Sequence, residues 1–264
     1  MQNQQQLYKE AATLIDHIRL PSFPNMLVEF LSRQCHFDEA LIITLKKSFR
    51  PIVLFPSDPA EQSPTLHSYL NDFFILDPLF NAVQGGISPG VVRLVDISPD
   101  SFETTEYYQT CYKNFSLVDE TNLIIELDKQ VTCTISLSRK KHLGSITRAE
   151  FLRLQECFPM VASLVRQFWL YQSQEYVQYE KSDGPMKQAL KSFGQGVLTR
   201  REQEITALIL QGHSSKAIAC LLNISPGTVK VHRKNIHQRL NTSTQSEIFT
   251  LFLAHLKSLE AGVA

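Results

Sequence analysis

The stretch from Ile218 to Leu240, IACLLNISPGTVKVHRKNIHQRL, constrains the chain most strongly, because it predicts two helices separated by a tight turn. Apolar residues at helical spacing close the first helix at about Leu222. Ser225 is a typical N-cap and Pro226 a typical first helical residue, so a second helix begins there. This arrangement is typical of a helix-turn-helix, whose second helix lies in the DNA major groove.

The second of these helices has a narrow apolar stripe and a broad basic face. Val229, Ile236 and Leu240 fall on one side of it. The other positions are mostly basic: Lys230, His232, Arg233, Lys234, His237 and Arg239. A helix of this kind favours a polyanionic partner. The alternative interpretation is a charged surface helix that contacts only solvent.

Helix start and stop signals surround the motif at regular intervals. Thr199 and Glu202 have capping-box spacing, which predicts the start of an earlier helix. Gly212 is placed to take a left-handed conformation where that helix ends. Thr244 and Glu247 repeat the capping-box spacing and predict a further helix. The segment therefore predicts four consecutive helices.

Taken together, LTRREQEI…LILQGHSSKAIACLLNISPGTVKVHRKNIHQRL, within residues 197–256, resembles the C-terminal DNA-binding domain of LuxR/FixJ-type transcription regulators. The resemblance implies a four-helix domain that binds double-stranded DNA as a homodimer, with the fourth helix at the dimer contact. It implies base-edge and nearby phosphate contacts from Lys230, Val231 and Lys234. It implies backbone contacts from Thr228, Arg239 and Lys216. Glu202 matches a structural acidic residue of the family.

The charge distribution agrees with DNA binding at one end of the chain. Residues 191–264 contain nine lysines and arginines and four acidic residues. The whole chain has 26 of each, so residues 1–190 contain 17 basic and 22 acidic residues. The C-terminal part is therefore cationic and the rest of the chain is acidic. This asymmetry is expected of a protein that contacts DNA phosphates through one end of its chain.

Several other classes of protein are disfavoured by the sequence. No apolar run approaches the roughly 18 residues of a membrane span, and the N-terminus lacks a secretion signal. The five cysteines, Cys35, Cys111, Cys133, Cys157 and Cys220, suggest neither a metal site nor a disulfide framework. We therefore expect a cytoplasmic protein with no membrane contact, no metal and no cofactor.

The N-terminal part of the chain is predicted to be an α+β sensor-like domain, an antiparallel sheet with flanking helices. The predicted helices cover residues 4–18, 25–34, 65–84, 104–115 and 148–172, with breaks at Pro21 and Pro24, a break before Asp77 and a kink or break at Pro159. The predicted strands cover residues 40–45, 51–55, 91–95, 122–127 and 131–138. Residues 46–50 are expected to join the first two strands as a hairpin, 56–64 to form a loop, and 128–130 to connect the last two strands tightly. This order is similar to that of PAS and GAF sensor domains. Within residues 69–139, LDPLF, SPGVVRL and SFETTEYYQTCYKNFSLVDE resemble N-terminal domains of LuxR-type regulators whose signal is unassigned.

A ligand site in this domain is predicted around Asp77, with two interpretations open. Acyl-homoserine-lactone receptors of the LuxR type carry an Asp-Pro after an aromatic segment, and their Asp binds the amide N–H of the signal. Asp77 matches that residue, but it is also a natural helix N-cap before Pro78. The upstream tryptophan of those receptors is missing, since the only tryptophan is Trp169. The candidate pocket residues are Tyr69, Phe73, Asp77, Tyr108 and Tyr112, and a plain aromatic core is the alternative.

Enzymes and phosphorylated receivers are the contrasting classes. The chain has no G-x-S-x-G, P-loop or H-E-x-x-H motif. Gly194-Gln195-Gly196 is not a dinucleotide fingerprint, because it follows no strand and lacks the third glycine. The acidic pair and lysine of a receiver domain are also missing. We therefore expect no catalytic residue.

The prediction is a transcription regulator in three parts: a sensor or dimerisation domain at 1–172, a linker at 173–196 and the helix-turn-helix domain at 197–264. The linker is proposed because residues 173–197 are rich in Gln, Ser, Asp and Gly. The first part is expected to sense a small molecule. The alternatives are a lactone quorum-sensing receptor and a ligand-free domain that only dimerises. RNA polymerase is expected as a further partner.

Overall fold

The computed structural model describes residues 2–46, 51–56, 64–71, 73–176, 185–211 and 213–261. These residues form two compact units. The first unit comprises Met1–His67, Ala82–Ile97 and Ser116–Glu180. The second unit comprises Ser68–Asn81, Ser98–Phe115 and Lys181–Ala264. The second unit thus combines the C-terminal helices with two segments that precede them by about a hundred residues in the sequence.

The first unit contains a five-stranded antiparallel sheet, as the sequence predicts. Its strands, in chain order, are β1 (Glu39–Lys46), β2 (Ile52–Phe55), β3 (Gly90–Arg93), β4 (Leu117–Glu126) and β5 (Val131–Lys140). Their order in the sheet is β2-β1-β5-β4-β3. The turn between β4 and β5 is held by Asp128, whose Oδ1 accepts hydrogen bonds from the backbone N–H of Gln130 at 2.6 Å and of Val131 at 2.9 Å. The predicted tight connection is therefore confirmed.

Three of the helices described for this unit supply the apolar core beside the sheet. They are α1 (Gln2–His17), α2 (Phe23–Gln34) and the long α6 (Arg148–Tyr176). One face of the sheet contributes Ile42, Leu123, Ile125, Cys133, Ile135 and Leu137 to this core. The rings of Phe23 and Phe168 stack at 4.9 Å between centroids and join α2 to α6. The apolar alternation of the strands thus determines which face packs on the helices.

Two prolines and one strand end differ from the sequence predictions. Pro24 does not break a helix but lies in the first turn of α2, where its missing N–H would have no helical partner anyway. α6 continues through Pro159 as one helix, so of the two predicted outcomes, a kink or a break, the break is wrong. β3 ends at Arg93, and the chain turns directly into α5 (Leu94–Ile97). The loops predicted at 46–50 and 56–64 lie largely outside the described residues.

The aromatic segments before β4 also depart from regular helix. Residues 64–84 form α3 (Pro64–Asn71), a 3₁₀ turn (Phe73–Leu76) and α4 (Pro78–Gln84), so the predicted break before Asp77 is confirmed. The predicted helix at 104–115 is instead a 3₁₀ turn (Phe102–Thr104) followed by a π-helix (Tyr108–Tyr112). Tyr107, just before the π-helix, is buried, while Tyr108 is only half-buried.

The C-terminal part of the second unit consists of five helices. They are α7 (Pro185–Ser192), α8 (Arg200–Leu210), α9 (Ser215–Leu221), α10 (Pro226–Leu240) and α11 (Gln245–Ala261). Of the linker predicted at 173–196, residues 173–176 continue α6, 185–192 form α7 and 193–196 lie in turns. Ala189 of α7 is fully buried. The ring of Phe193 packs edge-on against Phe252 of α11 at 5.5 Å, a contact between residues far apart in the sequence.

A buried ion pair lies at the start of α6. Glu150 Oε2 accepts hydrogen bonds from Arg139 Nη1 at 3.0 Å and from Thr147 N at 3.0 Å and Oγ1 at 2.7 Å. Its Oε1 accepts from His36 N at 3.1 Å and lies 3.0 Å from His36 Nδ1. Burial alone would raise the pKa of Glu150, but these hydrogen bonds hold it well below its usual range. This carboxylate therefore joins α2, β5 and α6.

Candidate functional site

The helix-turn-helix is built by caps that the sequence specifies locally. Ser214 Oγ accepts a hydrogen bond from Ala217 N at 3.2 Å and begins α9. Asn223 takes a positive φ of 52° in the turn, which asparagine tolerates well. Ser225 Oγ then accepts from Thr228 N at 3.0 Å and begins α10 at Pro226. These positions agree with the two-helix motif that the sequence predicts.

The exposed side of α10 carries the residues that the resemblance assigns to DNA. Val229 and Ile236 are fully buried and hold the opposite side of the helix in the domain. Lys230 and Lys234 are exposed, and the side chain of Val231 is 59% exposed although it is apolar. Residues four apart lie on the same side of a helix, so Lys230 and Lys234 share one surface. The predicted backbone contacts Thr228 and Lys216 are also exposed.

Arg239, the remaining predicted DNA contact, has partners inside the domain. Its Nε lies 3.4 Å from Glu202 Oε2, and its Nη1 donates to the carbonyl of Val197 at 3.3 Å. The Glu202 carboxylate also accepts a hydrogen bond from Thr199 N at 2.8 Å, and Thr199 Oγ1 accepts in return from Glu202 N at 3.3 Å. The predicted capping box is thus present. Half of the Arg239 side chain remains exposed, so it joins α8 to α10 while keeping access to solvent.

The basic face of α10 is less uniform than its sequence suggests. Arg233 Nη2 donates to Gln245 Oε1 at 3.1 Å, and burial lowers the pKa of Arg233. His237 Nδ1 lies 2.9 Å from Thr242 Oγ1, and burial with the nearby Arg233 charge lowers its pKa as well. These two side chains therefore connect α10 with the start of α11. Lys230, Val231 and Lys234, which are predicted to read bases, are exposed instead.

A second candidate site surrounds Asp77, which is 3% exposed. Its Oδ1 accepts a hydrogen bond from Leu79 N at 2.8 Å, and its Oδ2 accepts from Tyr69 Oη at 2.7 Å. Burial raises the pKa of Asp77 to about 6, although hydrogen bonds from Tyr69, Leu79 and the Tyr107 side chain oppose the shift. Asp77 therefore does cap α4, and it also binds a tyrosine hydroxyl.

The aromatic residues predicted as a pocket are only partly brought together with Asp77. Tyr69 is its direct partner, whereas Phe73 is half-buried in the preceding 3₁₀ turn. Tyr108 and Tyr112 stack on each other with ring centroids 5.5 Å apart. Sequence reasoning missed Phe102, whose ring meets Tyr108 at 5.3 Å and Tyr112 at 5.2 Å. The signal was available, because Phe102 precedes the tyrosines within SFETTEYY.

The sheet contributes a third group of polar residues that the sequence did not identify. Asn122 of β4 lies opposite Ser136 of β5, and Ser136 Oγ donates to Asn122 Oδ1 at 2.7 Å. Thr134 is two residues from Ser136 and therefore points to the same face. Among the described residues, neither Asn122 Nδ2 nor Thr134 Oγ1 has a hydrogen-bond partner, although both residues are fully buried. A buried polar group without a hydrogen-bond partner lowers the stability of the fold, so a partner is expected for each of them.

Two kinds of site are not found in the described ranges. No group of three or more His, Cys, Asp and Glu side chains there could hold a metal ion. No helix among the same residues is long and apolar enough to cross a membrane.

Comparison with protein families identifies the C-terminal region. The model of the family described as bacterial regulatory proteins, luxR family, matches residues 196–252. A putative HTH-type transcriptional regulator of Aeromonas salmonicida is 34% identical over 192 residues, which are 70% of this chain and 97% of that protein. The monoamine regulon transcriptional regulator of Klebsiella aerogenes is 28% identical over 70% of each chain.

A solved structure supports the fold of the N-terminal region. The match with the LBD domain of VqsR from Pseudomonas aeruginosa covers 63% of this chain and 96% of the VqsR chain, with a TM-score of 0.56 and 22% sequence identity. At this identity, the likeness concerns the fold. It confirms the predicted α+β class with an antiparallel sheet and flanking helices.

Proposed function

The chain belongs to the luxR family of bacterial regulatory proteins and is a DNA-binding transcription regulator, and we propose that α10 reads its operator while the first unit senses a small molecule. The exposed surface of Lys230, Val231 and Lys234 supports the first part of the proposal. The buried unpaired groups on the sheet support the second part.

DNA reading is assigned to three side chains of α10. Lys230 and Lys234 donate to base edges in the major groove, and Val231 supplies apolar contact to a thymine methyl. Thr228 and Lys216 contact phosphates and position the helix without specifying sequence. Arg239 contributes to a phosphate contact only with the part of its side chain that Glu202 leaves exposed. Affinity falls with salt because phosphate contacts release counterions.

The test is Lys234→Ala, measured on DNA enriched from a random library by the wild-type protein. If Lys234 reads a base, binding to the enriched DNA weakens by about 1–3 kcal/mol and binding to random DNA weakens less. Arg200→Ala is the matched control, because the Arg200 side chain is 96% exposed on α8 and outside the proposed surface. Equal losses on both DNAs would reduce Lys234 to a phosphate contact.

Small-molecule sensing rests on Asn122 and Thr134. The Ser136 hydroxyl donates to Oδ1 of the Asn122 amide, and Asn122 Nδ2 is left available to donate to a ligand oxygen. Thr134 Oγ1 lies on the same face and can donate or accept. A bound molecule with polar atoms at this face would satisfy both groups. A ligand class with a carbonyl or hydroxyl therefore fits better than a purely apolar one.

A thermal-shift screen of the full-length protein tests this proposal, with acyl-homoserine lactones and aromatic and aliphatic metabolites as the panel. A ligand at 100 times its Kd stabilises the protein by about 2.7 kcal/mol. Thr134→Val then weakens binding of the hit. Thr44→Val is the matched control, because Thr44 Oγ1 is equally buried and unpaired but lies opposite Cys133, on the helix-packed face. Absence of any hit would favour a domain that only dimerises.

Asp77 supports a lactone receptor as the second candidate. Its raised pKa and its tyrosine partner are features that cluster at functional sites. A lactone hit that Asp77→Asn abolishes, with the fold retained, would assign this residue to the signal. A hit of another class that survives the substitution would leave Asp77 as the cap of α4.

The remaining parts of the proposal concern assembly, partners, location and domain bounds. The regulator binds a two-fold symmetric operator as a homodimer through α11, acts with RNA polymerase and works in the cytoplasm. Its sensing domain is PAS/GAF-like and extends over residues 1–172, with the DNA-binding domain at 197–264. Catalysis is not expected, since no motif for it occurs.

A further inference from the structure

Two adjacent residues in the first turn of α8 are connected to the two ends of α10. Arg201 Nη2 donates to the carbonyl of Leu222 at 3.0 Å, and Leu222 is the C-cap of α9, just before the turn that leads into α10. Glu202 Oε2 lies 3.4 Å from Nε of Arg239 in the last turn of α10. α10 has 15 residues and is therefore about 22 Å long. One turn of α8 thus contacts the chain before α10 and again at its far end.

The Arg201 guanidinium is held in place by a second partner. Its Nη1 donates to Glu204 Oε2 at 2.9 Å, three residues further along α8. A guanidinium carries its donors in a rigid planar fork, so one nitrogen binds Glu204 while the other binds the Leu222 carbonyl. Carbonyl groups in the last turn of a helix have no partner within the helix, so the carbonyl of Leu222 needs an outside donor. Arg201 therefore fixes the turn before α10 relative to α8.

The neighbouring Arg200 has the same charge but lacks this geometry. Its side chain is 96% exposed, and its Nε lies 3.9 Å from Glu204 Oε1 within the same helix. An exposed ion pair of this kind contributes little to stability. The two arginines therefore allow the effect of position to be separated from the effect of charge.

DNA reading depends on the placement of α10 more strongly than phosphate binding does. The buried Val229 and Ile236 hold one side of the helix by apolar packing, which has no preferred direction. Hydrogen bonds are directional, so the bond from Arg201 restricts movement that apolar packing allows. A binding constellation must be held to within about 0.5 Å, whereas attraction to phosphates acts over several ångströms and carries no sequence information. A small shift of α10 therefore affects sequence preference first.

We propose that Arg201 is a positioning residue for DNA reading. By holding the Leu222 carbonyl against α8, it sets where α10 enters the major groove, and so it supports sequence preference without contacting a base. The inference rests on the proposed DNA reading by α10. Glu202 and Arg239 hold the other end of the helix, so loss of Arg201 releases one end and leaves the domain folded.

The test compares Arg201→Ala with Arg200→Ala in the full-length protein, on the enriched DNA and on random DNA. Arg201→Ala should weaken binding to the enriched DNA about tenfold, which corresponds to one hydrogen bond from a charged donor. Its binding to random DNA should change less than about twofold, because phosphate contacts remain. Arg200→Ala should leave the ratio of the two affinities unchanged. Thermal unfolding of both variants shows whether the fold is retained.

Several results would overturn the proposal. Equal losses on both DNAs with a weaker salt dependence would make Arg201 a phosphate contact. Equal losses with a lowered unfolding midpoint would make its role structural alone. The same loss of preference in Arg200→Ala would assign the effect to charge.

Arg201→Lys is the second variant, and it decides the question if Arg201→Ala does not fold. Lysine keeps the charge but has a single nitrogen, so it cannot bind Glu204 and Leu222 as the fork does. Reduced preference for the enriched DNA, at unchanged affinity for random DNA, supports positioning. Full preference in this variant overturns it. A wild-type protein that enriches no sequence would instead refute the proposed DNA reading.

Discussion

Glu150 in the first unit and Asp77 in the second are similarly buried, with exposures of 5% and 3%, but their surroundings differ. Glu150 receives hydrogen bonds from Arg139, Thr147 and His36, so a positive charge and two backbone N–H groups face it. Asp77 receives one backbone N–H and tyrosine hydroxyls.

The two environments act on the carboxyl pKa in opposite directions. Burial raises both pKa values, but the donors around Glu150 outweigh burial and lower its pKa. Around Asp77 burial outweighs the donors and raises its pKa to about 6. A carboxylate with a full set of donors stabilises the fold, whereas one with few donors remains available for another partner. The comparison therefore separates a structural acid from a candidate ligand contact.

The largest expected effect is that of Glu150→Gln. Removing one partner of a buried ion pair leaves Arg139 uncompensated and costs about 3–5 kcal/mol. Urea unfolding followed by fluorescence measures this, because Trp169 is the only tryptophan and is buried in the first unit. Glu156→Gln, on the exposed side of the same helix, should leave the midpoint almost unchanged. A small loss for Glu150→Gln would remove the distinction between the two sites.

The next effect is the pH dependence due to Asp77. The pKa of Asp77 in the folded protein lies above the ordinary value of 3.8. The stabilisation that comes with this raised pKa is therefore fully present below pH 3.8 and is lost as pH rises through about 6. The two pKa values differ by about 2, which corresponds to about 3 kcal/mol. Calorimetric melts between pH 4 and 7 measure this loss.

Asp77→Asn should flatten the dependence of thermal stability on pH. Asp96→Asn, which changes an exposed carboxylate, should not. Glu150 should show the opposite sign, because its lowered folded pKa stabilises the protein above the unfolded value and the contribution is lost on acidification. An unchanged profile in Asp77→Asn would mean that Asp77 is as well compensated as Glu150.

The smallest expected effect concerns Glu202, a third buried carboxylate whose donors are mostly local. Thr199→Ala removes the hydroxyl of the capping box and should cost about 1 kcal/mol. The equivalent substitution Thr244→Ala is the control, because that capping box is exposed and should cost less. Thermal unfolding of the full-length protein compares the two. A Thr199→Ala loss as large as that for Glu150→Gln would contradict the view that local caps contribute modestly.

The sequence predictions succeed where the interacting residues are close together in the chain. The helix starts at Thr199, Ser225 and Thr244 depend on partners three residues away, and all three were predicted. The Asp128 turn between β4 and β5 was predicted for the same reason. Most strands were also placed correctly, because alternation within a strand is a local pattern.

The failures involve contacts between distant parts of the chain. Residues 185–192 have the composition of a linker, and composition does not show that Ala189 is buried or that the adjacent Phe193 contacts Phe252. The π-helix at Tyr108–Tyr112 has the pattern of an ordinary helix, and the aromatic packing of Phe102 is visible only in three dimensions. The cap interpretation of Asp77 followed from Pro78, whereas its bond to Tyr69 did not.

The sequence by itself determined that this chain contains a helix-turn-helix with a basic second helix, since caps, turn and apolar stripe act within a few residues of one another. The tertiary structure alone decided that Asn122 and Thr134 share a buried face, because strand register pairs residues far apart in the chain. It also decided that Phe193 packs edge-on against Phe252 of α11. Local free energies select the elements, and the packing between elements selects which side chains meet.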